Sequence, residues 1–94
     1  MDQEIKAKWV VALRGGKYQQ ARYQLRHDNR YCCLGVLCDV QGLSQSNPLW
    51  QEAYPLPNLR GDMSFQDMMK LSYMNDHHDS KSFSEIADWI EENL

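Results

Sequence analysis

No apolar run in this 94-residue chain approaches the roughly 18 residues that a membrane-spanning helix requires, so no membrane partner is expected. The N-terminus, Met-Asp-Gln-Glu-Ile-Lys, has neither the charged start nor the apolar centre of a signal peptide, which points to a cytoplasmic location. Glycine-rich phosphate loops, serine nucleophile elbows and paired carboxylates at catalytic spacing are all missing. No internal repeat or low-complexity tract breaks the chain into units. Cysteine is scarce and odd in number: the three fall at 32, 33 and 38. Adjacent cysteines rarely bridge, because disulfide geometry strains the intervening peptide, and a cytoplasm keeps thiols reduced. Three reduced, buried thiols without metal or cofactor are therefore expected.

Two chemical alternatives compete with that expectation. A thiolate enzyme would use Cys32, with His27 or the His77-His78 pair as base and Asn75 or Asp76 as orienter. A zinc site would join Cys33 and Cys38 to His77 and His78, but four residues separate those cysteines and no second cysteine pair exists. Asp76, His77, His78 and Asp79 also form a weak metal motif. A solvated loop fits that segment better, because adjacent histidines point in different directions.

What the chain does contain is a folded domain's composition. Hydrophobic residues at 43% and aromatics at 11% exceed what a disordered chain carries, and the length suits one compact domain over residues 1–94. The net charge of −3 hides an asymmetry: residues 1–30 hold seven Lys/Arg against three acids, and residues 31–94 hold three against ten. Such polarity steers an anionic partner to one end, or lets two solvated faces pack together.

Periodicity gives the elements. Ile5, Trp9 and Leu13 repeat every four residues, with Ala12 in the same stripe, predicting a helix over 2–14 that stops at Gly15-Gly16. Ala21, Tyr23 and Leu25 alternate with Arg22, Gln24 and Arg26, the pattern of a half-buried strand. His27-Asp28-Asn29 is turn chemistry, and Arg30, Tyr31 and Cys33 form the returning strand. Leu34–Val40 reads as a buried helix, in which Gly35 either opposes the helix or marks a close approach by another backbone. Three prolines at 48, 55 and 57 make 44–62 irregular, pinned by Trp50, Tyr54 and Leu56. Ser64 caps a helix whose inner face is Phe65, Met68, Met69 and Ser72. Residues 75–80 read as a polar loop. Ser82-Phe83-Ser84-Glu85 is a capping box opening a last helix with Phe83, Ile86, Ala87, Ile90 and Leu94 inward. The expected fold is α+β and mainly helical: about four helices packed on a two-stranded antiparallel hairpin. Its core is expected to hold Trp9, Tyr23, Leu25, Leu34, Leu37, Phe65, Phe83, Ile86 and Ile90.

The hairpin is the expected binding site. Lys17, Tyr18, Arg22, Arg26, His27 and Arg30 offer guanidinium forks and aromatic rings to phosphates and bases, with Tyr23 interleaved. The competing reading is a solvated strand face paired with the acidic C-terminal helix. Sequence-specific reading of duplex DNA is disfavoured, because the chain as a whole is acidic.

Several segments resemble a family of small accessory proteins encoded by bacteriophages and prophages. They are Trp9–Arg14 with Gly16 and Tyr18, the block Tyr31–Asp39, and Asn75-Asp76 followed by Ser82–Ile90, with Trp50 and Leu56-Pro57 between. The family's Asn-Asp is usually followed by a short glycine-containing turn, where this chain has His77-His78-Asp79-Ser80-Lys81. The resemblance supplies no catalytic residues. It implies a non-enzymatic protein that binds and disables a host factor in antiviral defence, either a protein or a nucleotide-type immune signal. A nucleotide or single-stranded nucleic-acid binder, and a small Cys- or metal-dependent enzyme, are the other classes. A homodimer stays open.

Overall fold

Residues 1–44, 46–51, 54–77 and 81–94 are described by the structure, a computed structural model, with Leu49 as backbone alone. Helix α1 (Gln3–Arg14) begins where the Asp2 carboxylate accepts the Ile5 N–H at 3.0 Å, satisfying one of the free amides of the first turn. Its buried stripe is Trp9, Val10 and Leu13. The Trp9 indole N–H donates to the Cys33 carbonyl at 2.9 Å, so a large ring enters the core with its one polar atom satisfied.

Three two-residue strands follow: β1 (Gln19–Gln20), β2 (Arg26–His27) and β3 (Arg30–Tyr31). Their order is β1-β3-β2, with β1 parallel and β2 antiparallel to β3. The expected turn at Asp28-Asn29 is present, but the antiparallel hairpin supplies two strands of a three-stranded mixed sheet. The expected strand through Ala21–Leu25 is a bend. Tyr23 takes a left-handed backbone (φ 69°) and stands 70% exposed, outside the core. Ala21 and Leu25 alone point inward from this stretch.

Helix α2 (Cys33–Val40) begins at Cys33, which therefore belongs to the helix and not to a returning strand. The Cys32 thiol caps it, accepting the Gly35 N–H at 3.3 Å. Every residue from Cys33 to Cys38 is buried, which is why this stretch shows no polar face. Short 3-10 turns at Pro48–Gln51 and Pro57–Leu59 carry the chain across the proline-bearing segment. Trp50 pins it to the core, whereas Tyr54 and Leu56 stay exposed.

Helix α3 (Phe65–Asp76) is capped by Ser64, and α4 (Phe83–Asn93) by the reciprocal Ser82–Glu85 box. The inner stripe of α3 is Met68, Leu71 and Asn75; Phe65 and Met69 lie outside, contrary to expectation. α4 buries Phe83, Ile86, Ala87 and Ile90. It packs against α1, where Arg14 reaches Asp88 and Glu91 at 2.5 Å each. Those pairs are solvent-exposed and add little stability, but they join the basic and acidic parts of the chain. The acidic helix thus meets Arg14 of α1. No helix among the described residues is long and apolar enough to cross a membrane.

Candidate binding surfaces

The expected site residues lie on three local segments: the approach to β1, the bend, and the β2–β3 hairpin. Lys17 sits over the Tyr18 ring, 5.4 Å from its centroid, and the Tyr18 hydroxyl donates to Asp39 of α2. Burial, then the neighbouring Asp39, holds that phenol well above its ordinary pKa. Arg22 falls on the bend beside Tyr23. Arg26 crosses Tyr31, its guanidinium carbon 5.9 Å from the ring centroid, and Tyr31 stands edge-on to Tyr18 at 4.9 Å and to Trp50 at 5.6 Å. His27 and Arg30 face each other across the β2–β3 turn, both exposed. So Arg26, His27 and Arg30 share the hairpin, and Lys17-Tyr18 joins Arg26 through the Tyr31 ring, while Arg22 lies on the bend.

The bend that separates them is built by α3. Asn75 is fully buried and makes four hydrogen bonds. Its amide oxygen accepts from the Cys33 N–H at 3.1 Å and the Gln20 amide at 3.0 Å. Its amide nitrogen donates to the Ala21 carbonyl at 2.8 Å and to Asp76 Oδ1 at 2.8 Å. Asp76 Oδ1 also accepts the Tyr23 N–H at 3.0 Å. A clasp from α3 thereby holds β1, the bend and the start of α2. Both residues end the helix and do not open a polar loop. The sequence signal was available: Asn75 stands four residues after Leu71 and seven after Met68, on the buried stripe.

The three cysteines are free and buried. Burial pushes the Cys32 and Cys38 thiols up to about 12 and raises Cys33 well above its ordinary value. Folded thiols thus keep their protons while unfolded ones ionise near their ordinary value of 9.0. The stability they contribute is whole below pH 9 and is lost as pH rises toward about 12. Chemical denaturation across that range is expected to show steadily falling stability. Thiol titration at about pH 8 should find three groups in denaturant and almost none in the native protein. A flat alkaline profile, or a fast-reacting native thiol, contradicts this. Among the described residues no cluster of three or more His, Cys, Asp or Glu side chains can hold a metal. Of the Asp76-His77-His78-Asp79 motif, His78 and Asp79 lie outside the described residues.

Two surface features were not legible in the sequence. One is an aromatic face on and around α3. Tyr23, Tyr54, Met69 and Tyr73, with Ser72, Asp76 and His77, line a shallow groove of about 480 Å³. Phe65 adjoins it, its ring 6.4 Å from Tyr54, and Arg60 lies over Phe65 at 5.6 Å. The second is a polar groove of about 680 Å³ between the hairpin turn and the Pro48–Gln51 turn. Arg26, Asp28, Asn29, Ser46, Asn47 and Trp50 are among its lining residues.

No curated protein and no solved structure matches the chain. One family model does, over residues 1–58, a span that takes in α1, the mixed sheet, the cysteine block of α2 and the Pro48–Gln51 turn. The chain belongs to the family described as the domain of unknown function DUF8296.

Proposed function

We propose that this chain is a non-enzymatic binding protein that disables a host factor, docking on a host protein through the aromatic face of α3. The observation that carries the reading is the clustering of exposed side chains. Among the described residues seven large hydrophobics are exposed, and Tyr23, Tyr54, Phe65, Met69 and Tyr73 gather on this face. Tyrosine, phenylalanine, methionine and arginine are the residue types that interface centres favour, and contiguous apolar surface is costly to leave bare. Arg60 stacks on Phe65 and has no carboxylate partner among the described residues, so the partner segment is one with an apolar anchor beside an acidic residue. The buried, protonated thiols speak against cysteine catalysis. The resemblance to phage accessory proteins supports a host target within antiviral defence.

Met69→Ser with Tyr73→Ser tests the face. Both positions are solvent-facing, so the pair should change stability by no more than about 1 kcal/mol. The double variant is expected to lose activity in a phage-protection assay while keeping its melting temperature. Val11→Ser, an exposed apolar residue of α1, is expected to keep full activity. An active double variant overturns the reading, as does loss confined to reversal of Arg22 and Arg26. Substrate turnover that depends on Cys32 would overturn its non-enzymatic part.

A further inference from the structure

We propose that the groove beside the hairpin turn is a second binding site, for a small phosphate ester that also carries an amino or amide donor, a nucleotide in kind. It shares no lining residue with the α3 face and does not depend on that face docking a protein.

Arg26 Nε carries the argument. Among the described residues it is the one buried side-chain nitrogen or oxygen with no hydrogen-bond partner. A desolvated donor left unpaired is unfavourable, and more so on a charged group, so native structures rarely keep one without a use. The guanidinium is held over Tyr31, and Tyr31 is braced edge-on by Trp50, so its plane is set before any ligand arrives. Nε itself is shut off from solvent, so the parallel N–H donors that would pair with two oxygens of a phosphate are the terminal Nη groups of this fixed guanidinium.

The opposite requirement comes from the turn. Asp28 holds a left-handed backbone (φ 56°) at the tip and lines the same groove as Arg26, with its Oδ2 3.7 Å from His27 Nε2. A bare oxyanion meets repulsion there. A ligand carrying an amino group as well as a phosphate satisfies both ends, with the amides of Asn29 and Gln51 able to read further polar edges. The volume, about 680 Å³, falls within the range of small-molecule sites.

The test is an NMR titration of the full chain, following the Arg26 Nε–H resonance. The probes are AMP, inorganic phosphate, adenosine and acetate. AMP is expected to give a saturable shift and to bind at least about tenfold more tightly than phosphate or adenosine alone. Arg26→Lys removes the planar fork but keeps the charge and should weaken AMP by about tenfold or more. Asp28→Asn suits the left-handed turn and leaves the fold intact; it should narrow the preference for AMP over phosphate. Circular dichroism of both variants checks folding. Absence of a saturable AMP shift at millimolar concentration overturns the proposal. So does equal affinity for AMP, phosphate and acetate, which reduces the site to a plain oxyanion contact, or unchanged AMP binding by a folded Arg26→Lys protein.

Discussion

Replacing Asn75 by alanine is expected to lower the unfolding free energy by about 3–5 kcal/mol, a large part of the stability of a domain this size. The substitution removes four hydrogen bonds at once. Two of them end on backbone groups, the Cys33 N–H and the Ala21 carbonyl, at buried residues. Each backbone group left unpaired costs about 1–3 kcal/mol, and the cavity left by a fully buried side chain adds to that. Asn75→Asp separates geometry from charge. It keeps the acceptor for Cys33 but loses the donor to Ala21, and it buries a carboxylate against Asp76. That variant should be destabilised too, and less so at about pH 4, where protonation removes the charge and restores a donor. Equilibrium denaturation measures both. A loss below about 1 kcal/mol for Asn75→Ala would show that the clasp does not hold the bend.

The clasp also explains where the sequence stops being readable. α1 and α4 carry caps, stripes and stops within their own residues, and both form where periodicity puts them. The bend at 21–25 does not. Ala21, Tyr23 and Leu25 alternate as a strand would, but Asn75 takes the Ala21 carbonyl and Asp76 the Tyr23 N–H, groups that a ladder would otherwise need. A hydrogen-bond partner more than 50 residues away leaves no trace in local alternation. α3 misleads for a related reason. It carries two stripes, Met68–Leu71–Asn75 inward and Phe65–Met69–Tyr73 outward. The inward stripe ends in a polar residue and the outward one is wholly apolar or aromatic, so hydrophobicity alone mixes the two faces, joining buried Met68 with exposed Phe65 and Met69. Both candidate surfaces share this origin. The aromatic face exists because α3 turns that stripe to solvent, and the polar groove because residues 46–51 fold back beside the hairpin turn. The six residues expected to act together are legible as residues, but the pairing of Tyr18 with Asp39 and the packing of Tyr18 and Arg26 on one Tyr31 ring are not.

Gly35→Ala is expected to be the most damaging single-atom addition in the chain. In the sequence this glycine reads either as an objection to a helix or as the mark of a close backbone approach; it is a helical residue with the close approach. A Cβ built there would sit 1.7 Å from the Leu25 carbonyl oxygen and 2.7 Å from its carbon. Neither atom belongs to a side chain that could swing away. The same Leu25 oxygen accepts the Cys32 N–H at 3.2 Å, so separating α2 from the bend also breaks the bond that seats the start of the helix. Alanine favours a helix over glycine by up to about 1 kcal/mol, which opposes the clash but is the smaller effect. Overpacking a rigid contact costs about 1–3 kcal/mol and more when backbone must move, so a net loss of about 3 kcal/mol or more is expected. For a domain this size that lowers the melting temperature by at least about 12 °C. Gly42→Ala is the control: its backbone is left-handed (φ 83°) but no atom lies within 4 Å of the added carbon. It should cost only the strain of that conformation, about 1–2 kcal/mol. If the two substitutions prove equally mild, the α2–bend contact is looser than these distances require, and the bend would have to be held by the Asn75 clasp without it.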